Sequence, residues 1–235
     1  MSATIVLDGN SLTIEQLVAI ARDPSVLVAR DPAANQRIAL AEALIATVVA
    51  NYRSAYESGS AAPTEYGVTT GFGEFKDKPI APQDLVQLQR NLLLSHSVGV
   101  GENIDADDLT NYYAPEVIRG ALATRLNAFL KGHSGVRVIL ADAVEQMLNR
   151  GVIPLVPLRG SVGASGDLCP LSHLFATLLG AGRFYLVDDA KRTLRPATDL
   201  PAVLGMDAEV IKPSFKEGLG LVNGANFSAA MLALA

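Results

Sequence analysis

The stretch RGSVGASGDLCPLSHL, Arg159–Leu174, carries a glycine- and serine-rich loop straight into an apolar helix. Asp167 stands in an N-cap position, and Pro170 falls in the first turn, where its missing N–H costs nothing. Leu168, Leu171, Phe175 and Leu178 then recur as one apolar stripe, which rotates His173 to the opposite side, a face for solvent or for a subunit contact. Ala164-Ser165-Gly166 sits just ahead of the helix's free N–H groups and positive dipole end. Negative charge developing there would be stabilised, which makes the junction a site for an anion or an electrophile. Familiar loops of this kind fail on spacing: there is no G-x-G-x-x-G and no G-x-x-x-x-G-K-[ST], and Asp167 replaces the last Gly of G-x-S-x-G. Two readings remain. One is a tight turn into a helix. In the other, Gly166, lacking a Cβ, lets its amide nitrogen approach the Ala164 carbonyl while the Ser165 hydroxyl leaves as water. Cyclisation and dehydration would then leave an exocyclic methylene conjugated to carbonyls.

Working outward, 235 residues with 49% hydrophobic and 18% charged content describe a globular chain able to bury a core. A formal net charge of −5, with scattered Lys and Arg, gives no electrostatic footprint for nucleic acid. The single cysteine, Cys169, cannot form an internal disulfide, and no signal-peptide pattern follows Met1, so a cytoplasmic protein is expected. His96, His133 and His173 are too far apart for local metal-ligand spacing, and no metal is assigned. Gly218–Ala235, GLGLVNGANFSAAMLALA, contains no charged residue. Its glycines, Asn223, Asn226 and Ser228 argue against a membrane span and for a break followed by a helix buried on all sides. That helix ends without a cap, so the chain reads as the front of something longer or one piece of a tight oligomer.

The rest reads as mostly helix. Residues 4–8 alternate as a short strand, and Ser11 or Thr13 caps a helix ending near Asp23-Pro24. A helix is expected from about Asn35 to Glu57, and TEYGVTTGFGEFKDKP is a loop. Pro82 opens a helix to about Val98; helices over 105–131 and 135–150 follow, the first kinked or split at Pro115. VIPLVPLRG is extended, and RFYLVDDAKRT suggests a small hairpin.

Two further places could carry chemistry. Tyr66 lies in the glycine-rich loop, as a packed turn aromatic or as a functional phenol, with Gly67, Gly71 and Gly73 able to let the loop close over a pocket. His96 shares one helix face with Leu85, Leu88 and Leu92 and so points inward, as a satisfied core histidine or as a ligand-facing one. Asn223-Gly224 reads alone as a turn that breaks a helix.

Taken together, GSVGASGDLCPLSH, YGVTTGFG, LLLSHSVGVGE, KGHSGVR and KEGLGLVNG, in this order, resemble the signature blocks of the aromatic amino acid ammonia-lyases and aminomutases. The match runs from about Gly9 onward, and it covers only the front half of such an enzyme. The resemblance implies a mainly α, ammonia-lyase/fumarase-like helical fold with a small mixed α/β N-terminal region. It places an N-terminal domain over 1–200 and the start of a central helical bundle over 201–235. It implies a methylidene-imidazolone (MIO) prosthetic group made from Ala164, Ser165 and Gly166, and Tyr66 as the base that removes the substrate's β-proton. Ser95-His96 resembles the selectivity position of histidine ammonia-lyases, where the His contacts the substrate side chain; some tyrosine aminomutases carry a similar pair. Asn223 resembles the Asn that hydrogen-bonds near the prosthetic group and the substrate amine or carboxylate. The expected reaction is loss of ammonia from L-histidine to give urocanate, by a homotetramer. The rival is a tyrosine or phenylalanine lyase or aminomutase, or an inactive fragment, because the family's later Tyr, Arg and Glu are absent. Ala225 and Asn226 depart from the usual Asn-Gly-Thr-Gln, and Cys169 from the common Ala.

Overall fold

The computed structural model describes residues 3–99, 108–163 and 166–235. Strand β1 (Thr4–Leu7) leads through helix α1 (Ile14–Arg22) to β2 (Leu27–Arg30), which pairs with β1 in parallel from Thr4↔Leu27 to Leu7↔Arg30. Thr13 starts α1 with a reciprocal capping box: its Oγ1 accepts from Gln16 N at 3.2 Å, and Gln16 Oε1 accepts from Thr13 N at 3.1 Å. The partner strand β2 is not legible in the sequence, because its four residues carry too short an alternation to read. Asp31 caps α2 (Pro32–Glu57), with Pro32 in its first turn. Among the described residues α2 is the one helix long and apolar enough to cross a membrane. Its Ala34, Ile38, Val49 and Tyr52 are nonetheless buried in the fold, and Arg37 donates to Leu130 O at 3.0 Å.

A 3-10 turn at Pro82–Asp84 opens α3 (Leu85–His96). Helix α4 (Pro115–Leu130) begins at Pro115 rather than being kinked by it. Proline fits the first turn, where no backbone acceptor awaits its nitrogen. The expected helical stretch before it falls partly on 105–107, outside the described residues, and the remainder includes only a 3-10 turn at Leu109–Asn111. Then come α5 (Val138–Asn149), β3 (Val152–Pro154), α6 (Leu168–Ala176), β4 (Arg183–Leu186), β5 (Arg195–Pro196), α7 (Leu200–Leu204), α8 (Glu217–Val222) and α9 (Asn226–Leu234). The stretch expected to form a hairpin, 183–193, supplies β4, but the return strand β5 lies just past it, and β3 pairs with the other edge of β4 as a third antiparallel strand.

Helix α4 runs through the centre, with Ile118, Ala121, Leu122, Leu126 and Phe129 all fully buried. Around it the main core gathers Ile20, Val144, Phe175 and Phe227. Each such side chain contributes about 1.5–3 kcal/mol by leaving water. A second small core of Val49, Tyr52, Val68 and Leu85 pins α2 and α3 to the loop that carries Tyr66. Helix α9 departs from the expected all-round burial: Asn226, Phe227 and Ala230 are buried, whereas Leu232 is 80% exposed. Among the described residues, the covered side of α9 faces α4, with α1 and α6 also packed against it.

Candidate active site

The loop bearing Tyr66 is closed at its neck by Ile80 N donating to Thr69 O at 2.9 Å and Gly71 N to Lys78 O at 3.1 Å. Gly67 adopts φ +68°, and a Cβ there would stand 2.5 Å from Leu219 Cδ2, so glycine lets the loop lie directly on α8. Tyr66 is half exposed, its ring edge-on to Phe72 with centroids 6.3 Å apart. Buried Gln89 of α3 ties loop and helix together: Nε2 donates to Gly67 O and Oε1 accepts from Leu219 N, each at 3.1 Å.

His96 ends the α3 stripe. Its Nδ1 lies 3.0 Å from Leu92 O and 3.1 Å from Ser95 Oγ; because a carbonyl can only accept, the Leu92 contact is met by the tautomer with Nδ1–H donating, which leaves Nε2 as that tautomer's acceptor. Asn223 lies where α8 breaks before α9, its N–H donating to Leu219 O at 3.0 Å.

Tyr66, His96 and Asn223 line one cavity of about 710 Å³. Phe72, Leu88, Leu92 and Val222 make much of its wall, with Leu168, the first residue of α6, among the lining. A small-molecule site has this character: apolar walls with a few convergent polar groups. Ala164 and Ser165 lie outside the described residues. Their neighbour Gly166 has φ +124°, and a Cβ on it would stand 2.8 Å from Gly224 O. Gly160 at φ +138° and Gly163 at φ +69° also need glycine, and a Cβ at Gly160 would run into Cys169 Sγ.

Asp167 occupies the N-cap position of α6, but its carboxylate does not cap that helix. It accepts instead from Ser161 Oγ at 3.1 Å, and from Ser228 N at 2.8 Å and Ser228 Oγ at 2.9 Å in the first turn of α9. Asp167 N donates to Gly224 O at 2.8 Å, so the junction is clasped to the α8–α9 break from both its backbone and its side chain. His173 is not on an open face: it is half-buried, its Nε2 has no hydrogen-bond partner among the described residues, and burial depresses its pKa. Ser172 and Leu174 on either side of it are fully buried, while His173 shares a partly covered face of α6 with Cys169. Cys169 Sγ donates to Val98 O at 3.3 Å, and burial pushes its thiol up. Asn226 is buried and donates to Thr124 Oγ1 at 3.1 Å, which turns this departure from the usual motif toward α4.

Gln89 and the Asp167–Ser228 clasp escaped sequence reasoning. Gln89 did leave a signal, a polar residue in register with Leu85 and Leu92 on a buried helix face. Among the described residues no three His, Cys, Asp or Glu side chains are grouped to hold a metal.

The family model described as aromatic amino acid lyase matches residues 12–235. The histidine ammonia-lyase of Anaeromyxobacter sp. (strain K) is 41% identical over 235 residues, covering 99% of this chain and 42% of that protein. That of Streptococcus pyogenes serotype M3 (strain SSI-1) is 36% identical, covering 100% and 41%. Among solved structures, histidine ammonia-lyase from Trypanosoma cruzi superposes with a TM-score of 0.77 at 34% identity, over 98% of this chain and 39% of that one. Tyrosine aminomutase from Streptomyces globisporus gives 0.76 at 30% identity, over 98% and 38%. The chain thus spans well under half the length of these relatives.

Proposed function

Because the chain belongs to the aromatic amino acid lyase family, we propose that it is the part of an ammonia-lyase that carries the electrophile-forming triplet and one wall of the substrate pocket, and that the amino acid deaminated is L-histidine. The observation that carries this reading is the convergence of Tyr66, His96 and Asn223 on one cavity, which Leu168 links to the triplet's own helix. The triplet's last residue and its neighbour fit an MIO group made from Ala164, Ser165 and Gly166: Gly166 has a glycine-only backbone pressed against Gly224, and Asp167 is clasped to α9. Such a group supplies an electrophile that turns the substrate amine into a better leaving group.

The chain's own residues do the rest. Tyr66, on a glycine-hinged loop at the cavity wall, removes the β-proton, and the loop excludes water when it closes. His96, with its proton committed to Leu92 O, presents an Nε2 acceptor suited to the N–H of a substrate imidazole. Phenylalanine has no such donor and would leave that nitrogen unmatched, a discrimination of the kind that polar pockets make well. Asn223 hydrogen-bonds the substrate amine or carboxylate. A homotetramer in the cytoplasm, and the division into residues 1–200 and 201–235, belong to the same proposal. The second reading is a tyrosine-directed lyase or aminomutase, since a phenol can also donate to His96, and a tyrosine aminomutase structure superposes with a TM-score of 0.80.

The test is mass spectrometry of the 160–173 peptide, with turnover of histidine, tyrosine and phenylalanine by the enzyme in its complete form. A peptide lighter by two waters, with urocanate formed and Ser165→Ala inactive, is the expected result. Coumarate or cinnamate without urocanate rejects the substrate, and a peptide that keeps both waters rejects the electrophile.

A further inference from the structure

Arg125 of α4 is a buried charge that the chemistry above does not use. It is only 5% exposed, and among the described residues no carboxylate pairs with it. Burial lowers its pKa to about 10. Both Nε and Nη2 donate to one carbonyl, Leu221 O, at 3.0 and 2.9 Å, and the guanidinium lies over the Phe129 ring at 5.6 Å. Its Nη1 approaches the next turn: a Cβ on Gly224 would stand 2.9 Å from it.

An unpaired buried cation is costly, and an apolar residue of similar volume would usually serve stability better. What the charge achieves is local. A planar fork closing on one carbonyl fixes the end of α8 in position and orientation, which a single ammonium cannot do. The backbone held in this way, Leu221–Gly224, makes two deliveries. It sets Asn223 on the cavity wall, and it aims Gly224 O at Asp167 N, 2.8 Å away, beside the triplet.

We propose that Arg125 is a positioning residue for the reaction: through the Leu221 carbonyl and the Gly224 turn it registers Asn223 and the Gly166-Asp167 backbone against each other. The inference rests on the ammonia-lyase reading for its kinetic consequence, though not for its geometry. The same helix supplies a control. Arg119 is 1% exposed and also donates to carbonyls, Ile20 O at 2.9 Å and Leu148 O at 3.0 Å, but it ties α1 and α5, away from the cavity.

The experiment compares R125K, G224A and R119K in the enzyme in its complete form by thermal unfolding, amide hydrogen exchange at Asp167, and kcat and KM for histidine. G224A keeps the charge while its Cβ crowds both Asn226 Oδ1, at 2.7 Å, and the guanidinium, at 2.9 Å, so it disturbs the same turn from the other side if R125K folds poorly. All three are expected to lower Tm. Only R125K and G224A should speed exchange at Asp167 and lower kcat, by about 100-fold if the groups shift by an ångström, with a smaller change in KM. Equal losses of kcat and of protection in R119K and R125K make Arg125 merely structural and overturn the proposal. Unchanged protection at Asp167 in R125K and G224A overturns it as well. A wild-type protein that deaminates none of the three amino acids rejects the lyase reading instead, while the exchange arm still decides whether Arg125 holds the junction.

Discussion

At Asp167 a carboxylate serves a helix other than its own. By accepting from Ser228 N and Oγ it satisfies the start of α9 and holds the triplet's helix to it. Asp167→Ala should therefore cost about 1–2 kcal/mol, the range for losing a helix cap, and the loss is measurable as a lower urea midpoint at unchanged slope. His173 makes a pH-dependent contribution. Burial depresses its folded-state pKa below the ordinary value of 6.5, so the neutral ring is the form that the fold accepts. Its contribution is fully present above 6.5, and it is lost as pH falls through the depressed folded value, because the unfolded chain binds the proton first. His173→Leu should flatten that acid-side loss, which urea unfolding at a series of pH values between neutrality and the acid side would show.

Among elements, the site is a matter of how α3, α8 and the Tyr66 loop are bound to one another, and Gln89 is the shared rivet. One amide side chain satisfies Gly67 O and Leu219 N, groups that the loop and α8 cannot match internally. Gln89→Leu keeps the volume but strands both, for an expected loss of about 1–3 kcal/mol in denaturant unfolding. The loop's amide exchange should rise with it. Because Tyr66 adjoins Gly67, and Asn223 lies one turn beyond Leu219, the same variant should loosen two cavity residues together.

For the whole molecule, α4 decides the arrangement, since α1, α2, α5 and α9 all pack on it. Its crossing with α9 is close at Gly120, where a Cβ would stand 2.9 Å from Ala230 Cβ. Gly120→Val should force the helices apart and cost about 1–3 kcal/mol, seen as a lower Tm. The same scale shows what could be read from the chain alone. Most of the longer helices, the opening at Pro82, the glycine-rich loops and the helix that follows the triplet were legible, because capping, turn preference and dipole chemistry act between residues a few positions apart, whereas the starts at Pro32 and Pro115 were not. The burial of His173, the pairing of β1 with β2 and the partners of Asp167 and Gln89 were not. The Asp167–Ser228 bonds span 61 residues and the Gln89–Leu219 bond spans 130, distances over which no local pattern carries information. Sequence determined which groups could do chemistry; only tertiary packing decided that Tyr66, His96 and Asn223 face one cavity, because their meeting depends on burying apolar faces that lie far apart along the chain.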